Sequence, residues 1–186
     1  GHQSPFQLEA ALEEGAFEKI VGWNVEPEML SKLEEVAARR GLPFERVDLD
    51  GLGAQADVII TITSSFAPIL KAAQVRPGTH IACMGTDTVG KQEVEAELVA
   101  RASVFTDEVA QAVTLGESQH AVAAGLVDAG SIVEIGQVVT GGHAGRTTPE
   151  EITLFDGTGV GLQDLAVASA IVDLAVRKGI ATEVEF

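Results

Sequence analysis

The sequence predicts a doubly wound α/β domain, in which helices cover both faces of a parallel sheet. Short apolar runs alternate with helical patterns along most of the 186 residues. The run DVIITIT (57–63) is rich in β-branched residues, which is typical of a strand buried on both faces. Strands that alternate with helices favour right-handed crossovers and therefore a parallel sheet.

The expected elements follow in order along the chain. Apolar residues at helical spacing predict a helix over 5–14, and the run KIVGWN (19–24) predicts a strand. A second helix is expected over 27–40, with Pro27 in its first turn and Gly41 as its stop. Further strands are expected at 44–48, 57–63, 79–85, 104–107 and 152–155, and further helices at 93–102 and 162–178.

Composition excludes several classes of protein. Hydrophobic residues make up 46% and charged residues 22%, so a substantial core can be buried. No apolar run reaches the ~18–20 residues of a membrane span. Twelve basic against 28 acidic residues give a net charge of -16, which repels nucleic acid and anionic membranes. We expect neither as a partner, and the single cysteine, Cys83, fits a cytoplasmic location.

The first residues, GHQSP, fit the second half of a glycine-rich phosphate loop. If Gly1 is the second glycine of a dinucleotide-binding fingerprint, Ser4 takes the third small position and the second strand ends at Asn24. This spacing predicts a Rossmann-like sheet that lacks its first, central strand. The alternative is that Gly1 and His2 remain from a cleaved tag, or that any helix can begin this way.

The residue at position 24 bears on cofactor choice. An acidic residue there would bind both ribose hydroxyls and repel a 2′-phosphate. Asn24 keeps the hydrogen bond without the repulsion, yet the next residues, Val25 and Glu26, offer no cation for a phosphate. The sequence favours NAD, with NADP as the alternative.

The strongest local signal for chemistry is CMGTDTVGKQE (83–93). Ligands of open α/β sheets bind outside the carboxyl ends of strands, which is where Asp87 follows a buried strand. Its carboxylate is a candidate general base or could position an amino group, with Lys91 near cofactor or substrate. The alternative is that Asp87 only caps the next helix or stabilises a turn.

Small hydroxyl residues, among them Thr63 and Ser64, follow the 57–63 strand and would let a cofactor approach the backbone closely. Turn chemistry explains them equally well. No metal site is expected, because His80, His120 and His143 lack ligand spacing. Cys83 is expected in mid-strand, where a thiol is usually part of the core.

Four motifs together resemble the ornithine cyclodeaminase/mu-crystallin family. They are GHQ at the start, GTDTVGKQE (85–93), GRTTPEEITLFDGTG (145–159) and GLQDLAVA (161–168). They stand in the family's order, and the resemblance covers nearly the whole chain. The family includes cyclodeaminases, NAD-dependent alanine dehydrogenases, and reductases of cyclic ketimines and other imino acids.

The resemblance implies a role for individual residues. Asp87 matches the family's active-site aspartate, and residues 156–158 match a loop that closes over the nicotinamide. Gly157 stands in that loop where a side chain such as Ser is expected. The cofactor-binding positions implied are Gly1, His2, Gln3, Asn24, Thr63, Ser64, Met84, Gly85, Lys91 and Thr158.

The resemblance also implies a division of the chain. Residues 1–160 would form an N-terminally truncated dinucleotide-binding domain. Residues 161–186, with a helix at 162–178 and a strand at 182–186, would belong to a substrate and dimerisation domain built mostly from an N-terminal part that is absent here. The intact parent is expected to be a homodimer.

The function implied is NAD(H)-dependent reduction of an imino acid to an amino acid. GHQSPFQL and HIACMGTDTVGKQE are most similar to the iminosuccinate reductases, which make aspartate. Asp87 would orient or protonate the imine nitrogen. An NAD-dependent cyclodeaminase and a non-catalytic nucleotide binder are the alternatives. The 186-residue chain alone is expected to show no turnover, because the basic residues that grip the substrate lie in the absent domain.

Overall fold

The structure, a computed structural model, describes residues 2–184. The helices are α1 (Ser4–Glu14), α2 (Ser31–Arg39), α3 (Leu49–Gln55), α4 (Ala96–Arg101), α5 (Val109–Ala112), α6 (Gln119–Ala123), α7 (Ile135–Val139) and α8 (Gly161–Arg177). The strands are β1 (Ile20–Gly22), β2 (Phe44–Arg46), β3 (Val58–Thr61), β4 (Phe66–Leu70), β5 (His80–Cys83), β6 (Gln92–Val94), β7 (Ser103–Thr106), β8 (Val133–Glu134) and β9 (Thr153–Asp156).

A five-stranded parallel sheet carries the core, in the order β3-β5-β9-β7-β8. Its register aligns Ile59 with Ile81, Ile81 with Leu154, and Leu154 with Val104. All four side chains are buried, and Leu98 of α4 packs in the same cluster. The predicted α/β architecture with a parallel sheet is therefore confirmed.

The first two strands form a separate parallel sheet, in which Ile20 pairs with Phe44. Between β1 and β3 lies a cavity of about 500 Å³, lined by residues of α1, β1, α3 and β3. The described residues, 2–184, form no strand in this gap between the two sheets. The expectation that β3 is buried on both faces is wrong for Val58, which is 37% exposed, because the edge of β3 faces the gap.

Local pattern missed several elements and misplaced the start of one helix. The helix α3 was not expected, nor was the pair β4 and β6, which bond to each other in parallel. The helix predicted over 93–102 begins only at Ala96, because Gln92–Val94 pairs with β4. The strand predicted at 182–186 does not form over 182–184, and Glu185 and Phe186 lie outside the described residues.

The last helix, α8, confirms the predicted helix and its stop. It ends at Arg177, and Gly179 follows with φ 65°. No residue of α8 is buried, and Leu162 and Leu165 are 73% and 65% exposed. Its other exposed large apolar residues are Val167, Ile171, Val172, Leu174 and Val176. Across residues 2–184, the structure contains no helix with the length and apolarity that crossing a membrane requires.

Candidate active site

The carboxyl ends of four neighbouring strands of the main sheet carry several predicted site residues, together with Asp107, which was not predicted. Thr63 and Ser64 follow β3, and Asp87 follows β5. Asp107 follows β7, and Thr158 follows β9. Ligands of open parallel sheets bind at this edge, so the position expected for Asp87 agrees with the fold.

Gly85 lets the loops after β3 and β5 pack backbone against backbone. A Cβ atom at Gly85 would lie 2.4 Å from the carbonyl oxygen of Thr63 and 2.6 Å from its nitrogen. The same atom would lie 2.6 Å from Oε1 of Glu93. Only glycine fits this position without movement of the backbone.

Asp87 and Lys91 form an ion pair in the loop that follows β5. Lys91 Nζ donates to Asp87 Oδ1 at 2.7 Å and to the Gly85 carbonyl at 3.3 Å. The side chain of Asp87 is 62% exposed, and that of Lys91 is 17% exposed. The hydrogen bond from Lys91, helped by one from the Thr88 hydroxyl, lowers the pKa of Asp87. The alternative that Asp87 caps the next helix is wrong, because a turn and then the strand β6 follow Asp87.

Beneath these loops lie two buried glutamates. Glu93 Oε1 accepts the Thr63 N–H at 2.6 Å, and its Oε2 accepts the Gly85 N–H at 3.0 Å and the Thr61 hydroxyl at 2.7 Å. Glu117 accepts the backbone N–H groups of Glu93 and Val94 at 2.8–3.0 Å. Burial raises the pKa of Glu117 to about 7, against the opposing effect of its hydrogen bond from the Thr86 hydroxyl.

Two aspartates form similar hydrogen bonds at the carboxyl ends of β7 and β9. Asp156 accepts the backbone N–H groups of Glu117 and Ser118 at 2.9 and 2.8 Å, and burial raises its pKa. Asp107 accepts the Thr158 hydroxyl at 2.6 Å and the Gly159 N–H at 2.7 Å. Burial acts to raise the pKa of Asp107, but these hydrogen bonds outweigh it and lower that pKa.

These carboxylates were not identified from the sequence as functional candidates, although Glu93 lies in the motif GTDTVGKQE (85–93). They join successive strand ends, because each accepts hydrogen bonds from the backbone of a neighbouring loop. The only available signal was an acidic side chain beside apolar residues, as in QEVEAELVA, where Glu93 precedes Val94.

Other predicted cofactor positions lie around the first helix and strand, although β1 ends at Gly22 and not at Asn24 as predicted. Asn24 follows β1, and its Oδ1 accepts the Glu26 N–H at 2.9 Å. His2 and Gln3 are exposed beside the start of α1, and Gly1 lies outside the described residues. Contacts of these residues with a cofactor stay predictions.

In the loop after β9, the hydroxyl of Thr158 is engaged by Asp107. A Cβ at Gly157, where a side chain was expected, would meet the Met84 sulfur at 2.7 Å. Met84 therefore occupies the space that such a side chain would need.

His80 and His120 each bond a neighbouring group, and Cys83 lies in the core. His80 Nδ1 bonds the Thr153 hydroxyl at 2.8 Å, at the amino end of β5, and His120 Nε2 bonds the Lys91 carbonyl oxygen at 3.0 Å. Cys83 is fully buried, which raises its pKa. Within residues 2–184, no group of three or more His, Cys, Asp or Glu side chains is placed to hold a metal ion.

The sequence matches the ornithine cyclodeaminase/mu-crystallin family over residues 1–179. The chain belongs to this family. It is 61% identical over 185 residues to the iminosuccinate reductase of Paracoccus denitrificans (strain Pd 1222), covering 100% of this chain and 58% of that protein. It is 34% identical over 187 residues to an alanine dehydrogenase of Archaeoglobus fulgidus, with the same two coverages.

Solved structures of the family superpose closely. The crystal structure of the Paracoccus denitrificans iminosuccinate reductase in complex with NAD+ matches with a TM-score of 0.97, over 100% of this chain and 57% of that one. The Thermococcus litoralis Delta(1)-pyrroline-2-carboxylate reductase, in complex with NADH and L-proline, matches with a TM-score of 0.94 at 26% identity, over 99% of this chain and 58% of that one. The chain thus spans somewhat more than half the length of these relatives.

Proposed function

We propose that this chain is the cofactor-binding part of an NAD(H)-dependent reductase that converts an imino acid into an amino acid. The observation that carries the proposal is the Asp87–Lys91 pair at the carboxyl edge of the sheet. It lies in a fold that superposes on an iminosuccinate reductase solved with NAD+. Reduction of iminosuccinate to aspartate is the reaction that this similarity supports best.

The residues at the edge fit a dinucleotide. Small residues in the loops after β3 and β5, among them Ser64 and Gly85, would let a cofactor approach the backbone closely. The helix α1 has no side-chain hydrogen bond at its N-cap, Gln3, and a helix N-terminus favours phosphate. Asn24 offers its amide to a ribose, and the neighbouring Glu26 disfavours a 2′-phosphate. We therefore propose NAD rather than NADP.

The chemistry divides between cofactor and protein. Bound NADH supplies the hydride, which adds to the carbon of the C=N bond, while one proton brings the nitrogen to the amine. Asp87 is held ionised by Lys91, because that hydrogen bond lowers its pKa. A carboxylate in this state stabilises a protonated imine nitrogen and orients it. Of the two roles predicted for Asp87, orientation is the one its protonation state supports.

The exposed helix α8 supports a second part of the proposal. Its large apolar residues, from Leu162 to Val176, would be covered by a substrate and dimerisation domain contributed by the remainder of the protein. In this proposal residues 1–160 bind the cofactor, and residues 161–186 belong to the other domain of a homodimer.

Titration of the chain with NADH and NADPH, followed by nucleotide fluorescence, tests the cofactor assignment. NADH is expected to bind more tightly than NADPH. If neither nucleotide bound, the proposal for this chain would be contradicted. Tighter binding of NADPH would contradict the assignments of Asn24 and Glu26.

The reaction is tested on the whole protein with oxaloacetate and ammonium, which form iminosuccinate in solution, by loss of NADH absorbance. Asp87→Asn should reduce the rate by about 10²-fold or more, the range typical of a lost acid-base or orienting group. Its effect on NADH affinity should be much smaller. Release of ammonia from ornithine without net NADH oxidation would instead support the cyclodeaminase alternative. If the protein bound NADH but turned over no imino acid, the non-catalytic nucleotide-binding alternative would be supported.

A further inference from the structure

Glu93 and Glu117 are buried beneath the site, and the proposed reaction assigns no role to either. They are 0% and 1% exposed, so neither side chain reaches the surface beside Asp87. Burying carboxylates is costly unless hydrogen bonds compensate. Their hydrogen-bond partners are backbone N–H groups and hydroxyls, and those of Thr63, Gly85 and Thr86 belong to the loops of the site.

We propose that Glu93 and Glu117 are positioning residues that hold the two loops of the cofactor site at a set separation, an inference that rests on the proposed function. Glu93 joins the loops directly, since one oxygen accepts the Thr63 N–H at 2.6 Å and the other the Gly85 N–H at 3.0 Å. The ends of β3 and β5 are thereby tied to a single rigid carboxylate.

Glu117 holds the arrangement from the opposite side. It accepts the backbone N–H of Glu93 itself at 2.9 Å, which orients the strand that carries the first carboxylate. Its Oε2 also accepts the Thr86 hydroxyl at 2.5 Å, and Thr86 immediately precedes Asp87. One glutamate therefore places Gly85, and the other places the residue next to the proposed catalytic aspartate.

The two glutamates differ in how they tolerate an amide. Each oxygen of Glu93 accepts a backbone N–H group, which can donate a hydrogen bond but cannot accept one. In Glu93→Gln the NH₂ therefore faces the N–H of either Thr63 or Gly85, and that N–H loses its acceptor. In Glu117→Gln, Oε1 keeps its two backbone donors. The new NH₂ then faces Thr86, whose hydroxyl can turn and accept. It also faces the Glu93 N–H, which lies 3.0 Å from Oε2 but keeps its hydrogen bond to Oε1 at 2.9 Å. The geometry therefore predicts a large effect at Glu93 and a small one at Glu117.

Amide hydrogen exchange of the full 186-residue chain, followed residue by residue by NMR, tests the positioning role without any cofactor. Glu93→Gln should raise exchange at Thr63 or Gly85 by at least about 10-fold, because a buried donor left unpaired loses its protection. Ile81, in the centre of the sheet, should stay protected. Unchanged exchange at both loop amides would overturn the proposal.

Three further variants complete the exchange experiment. Glu117→Gln should leave amide exchange near that of the unsubstituted chain. Glu117→Ala should instead accelerate amide exchange at Glu93 and Val94. The matched control is Glu95→Gln, because Glu95 also accepts a backbone N–H, that of Ala72 at 2.8 Å, but ahead of β5 and away from the loops. A control that loosened Thr63 and Gly85 as much as Glu93→Gln would also overturn the proposal.

NADH titration of the same proteins links the loops to the site. Glu93→Gln should weaken NADH binding by at least about 10-fold, since small displacements of positioning groups cost that much or more. Glu117→Gln should restore the affinity that Glu117→Ala loses. If the unsubstituted chain bound no NADH, the proposed function would fail, while the exchange data would still decide whether the glutamates hold the loops. Full affinity in Glu93→Gln would overturn the positioning role.

Discussion

Gly85 illustrates how one missing side chain shapes the edge of the sheet. Gly85→Ala should lower the free energy of unfolding by about 1–3 kcal/mol and weaken NADH binding, because its Cβ would meet Thr63 backbone atoms at 2.4 and 2.6 Å. Urea unfolding and nucleotide titration measure the two effects. Gly136→Ala in α7 is the control, since no heavy atom lies within 4 Å of its added Cβ. Equal effects of both substitutions would contradict the prediction.

Glu117 should make stability depend on pH. Its folded pKa of about 7 lies above its ordinary value of 4.5, so between these values the folded state holds the proton more tightly. Its contribution is therefore fully present below pH 4.5 and is lost as pH rises through about 7. The slope can reach about 1.4 kcal/mol per pH unit.

Glu117→Gln should flatten this part of the profile. Urea unfolding between pH 5 and pH 8 measures it, and Glu95→Gln is the control. Some slope should remain, because burial also raises the pKa of Asp156. An identical slope in Glu117→Gln and the unsubstituted chain would show that Glu117 does not titrate in this range.

The charge on Lys91 should control the ionisation of Asp87. Lys91→Met removes the hydrogen bond at 2.7 Å that is the main cause of the lowered pKa. The pKa of Asp87 should then rise toward its ordinary value, which a ¹³C NMR titration of the carboxyl measures. The control is Lys71→Met, because Lys71 forms no hydrogen bond with Asp87; this substitution should leave the pKa of Asp87 unchanged. A pKa of Asp87 that did not move would mean that Lys91 does not set its charge.

At the scale of elements, sequence could predict what local pattern encodes and little of what pairing decides. The β-branched run that ends at Thr63 identified β3, and Thr63, a predicted site residue, follows that strand. Phe66–Leu70 contains Pro68, a residue that locally favours a turn, yet it is a strand because it pairs with β6. Glu117 follows the same rule, since only the tertiary contact with Glu93 distinguishes it from an exposed acid.

The helix α8 should drive self-association of the chain. Its large apolar residues are exposed throughout, with Leu165 at 65% and Val172 at 59%, and contiguous apolar surface of this kind promotes association. The double substitution of Leu165 and Val172 by Lys should shift the chain toward monomer in sedimentation velocity. Val139→Lys, at an 81% exposed position in α7, is the control and should leave association unchanged. Monomeric behaviour of the unsubstituted chain would contradict the prediction.

At the scale of the whole molecule, the break between the two sheets separates a small layer from the main core. The backbone groups of Ile20 and Gly22 face β2, since Ile20 N–H donates to Pro43 at 2.9 Å and Gly22 accepts from Val47 at 3.1 Å. Successive residues of a strand alternate, so those of Val21 face the gap. The layer of α1, β1, α2 and β2 is therefore joined to the main sheet without a strand ladder across the gap.

Because the two sheets share no ladder, the small layer should unfold before the main sheet. Trp23 is the only tryptophan and directly follows β1, so its fluorescence reports on this layer. The fluorescence midpoint in urea should lie below the circular dichroism midpoint, which weights the whole chain. A Trp23→Phe and Phe155→Trp double variant moves the reporter to β9, and its fluorescence should follow the later transition. Coincident midpoints for both reporters would mean that packing across the cavity couples the layers into one cooperative unit.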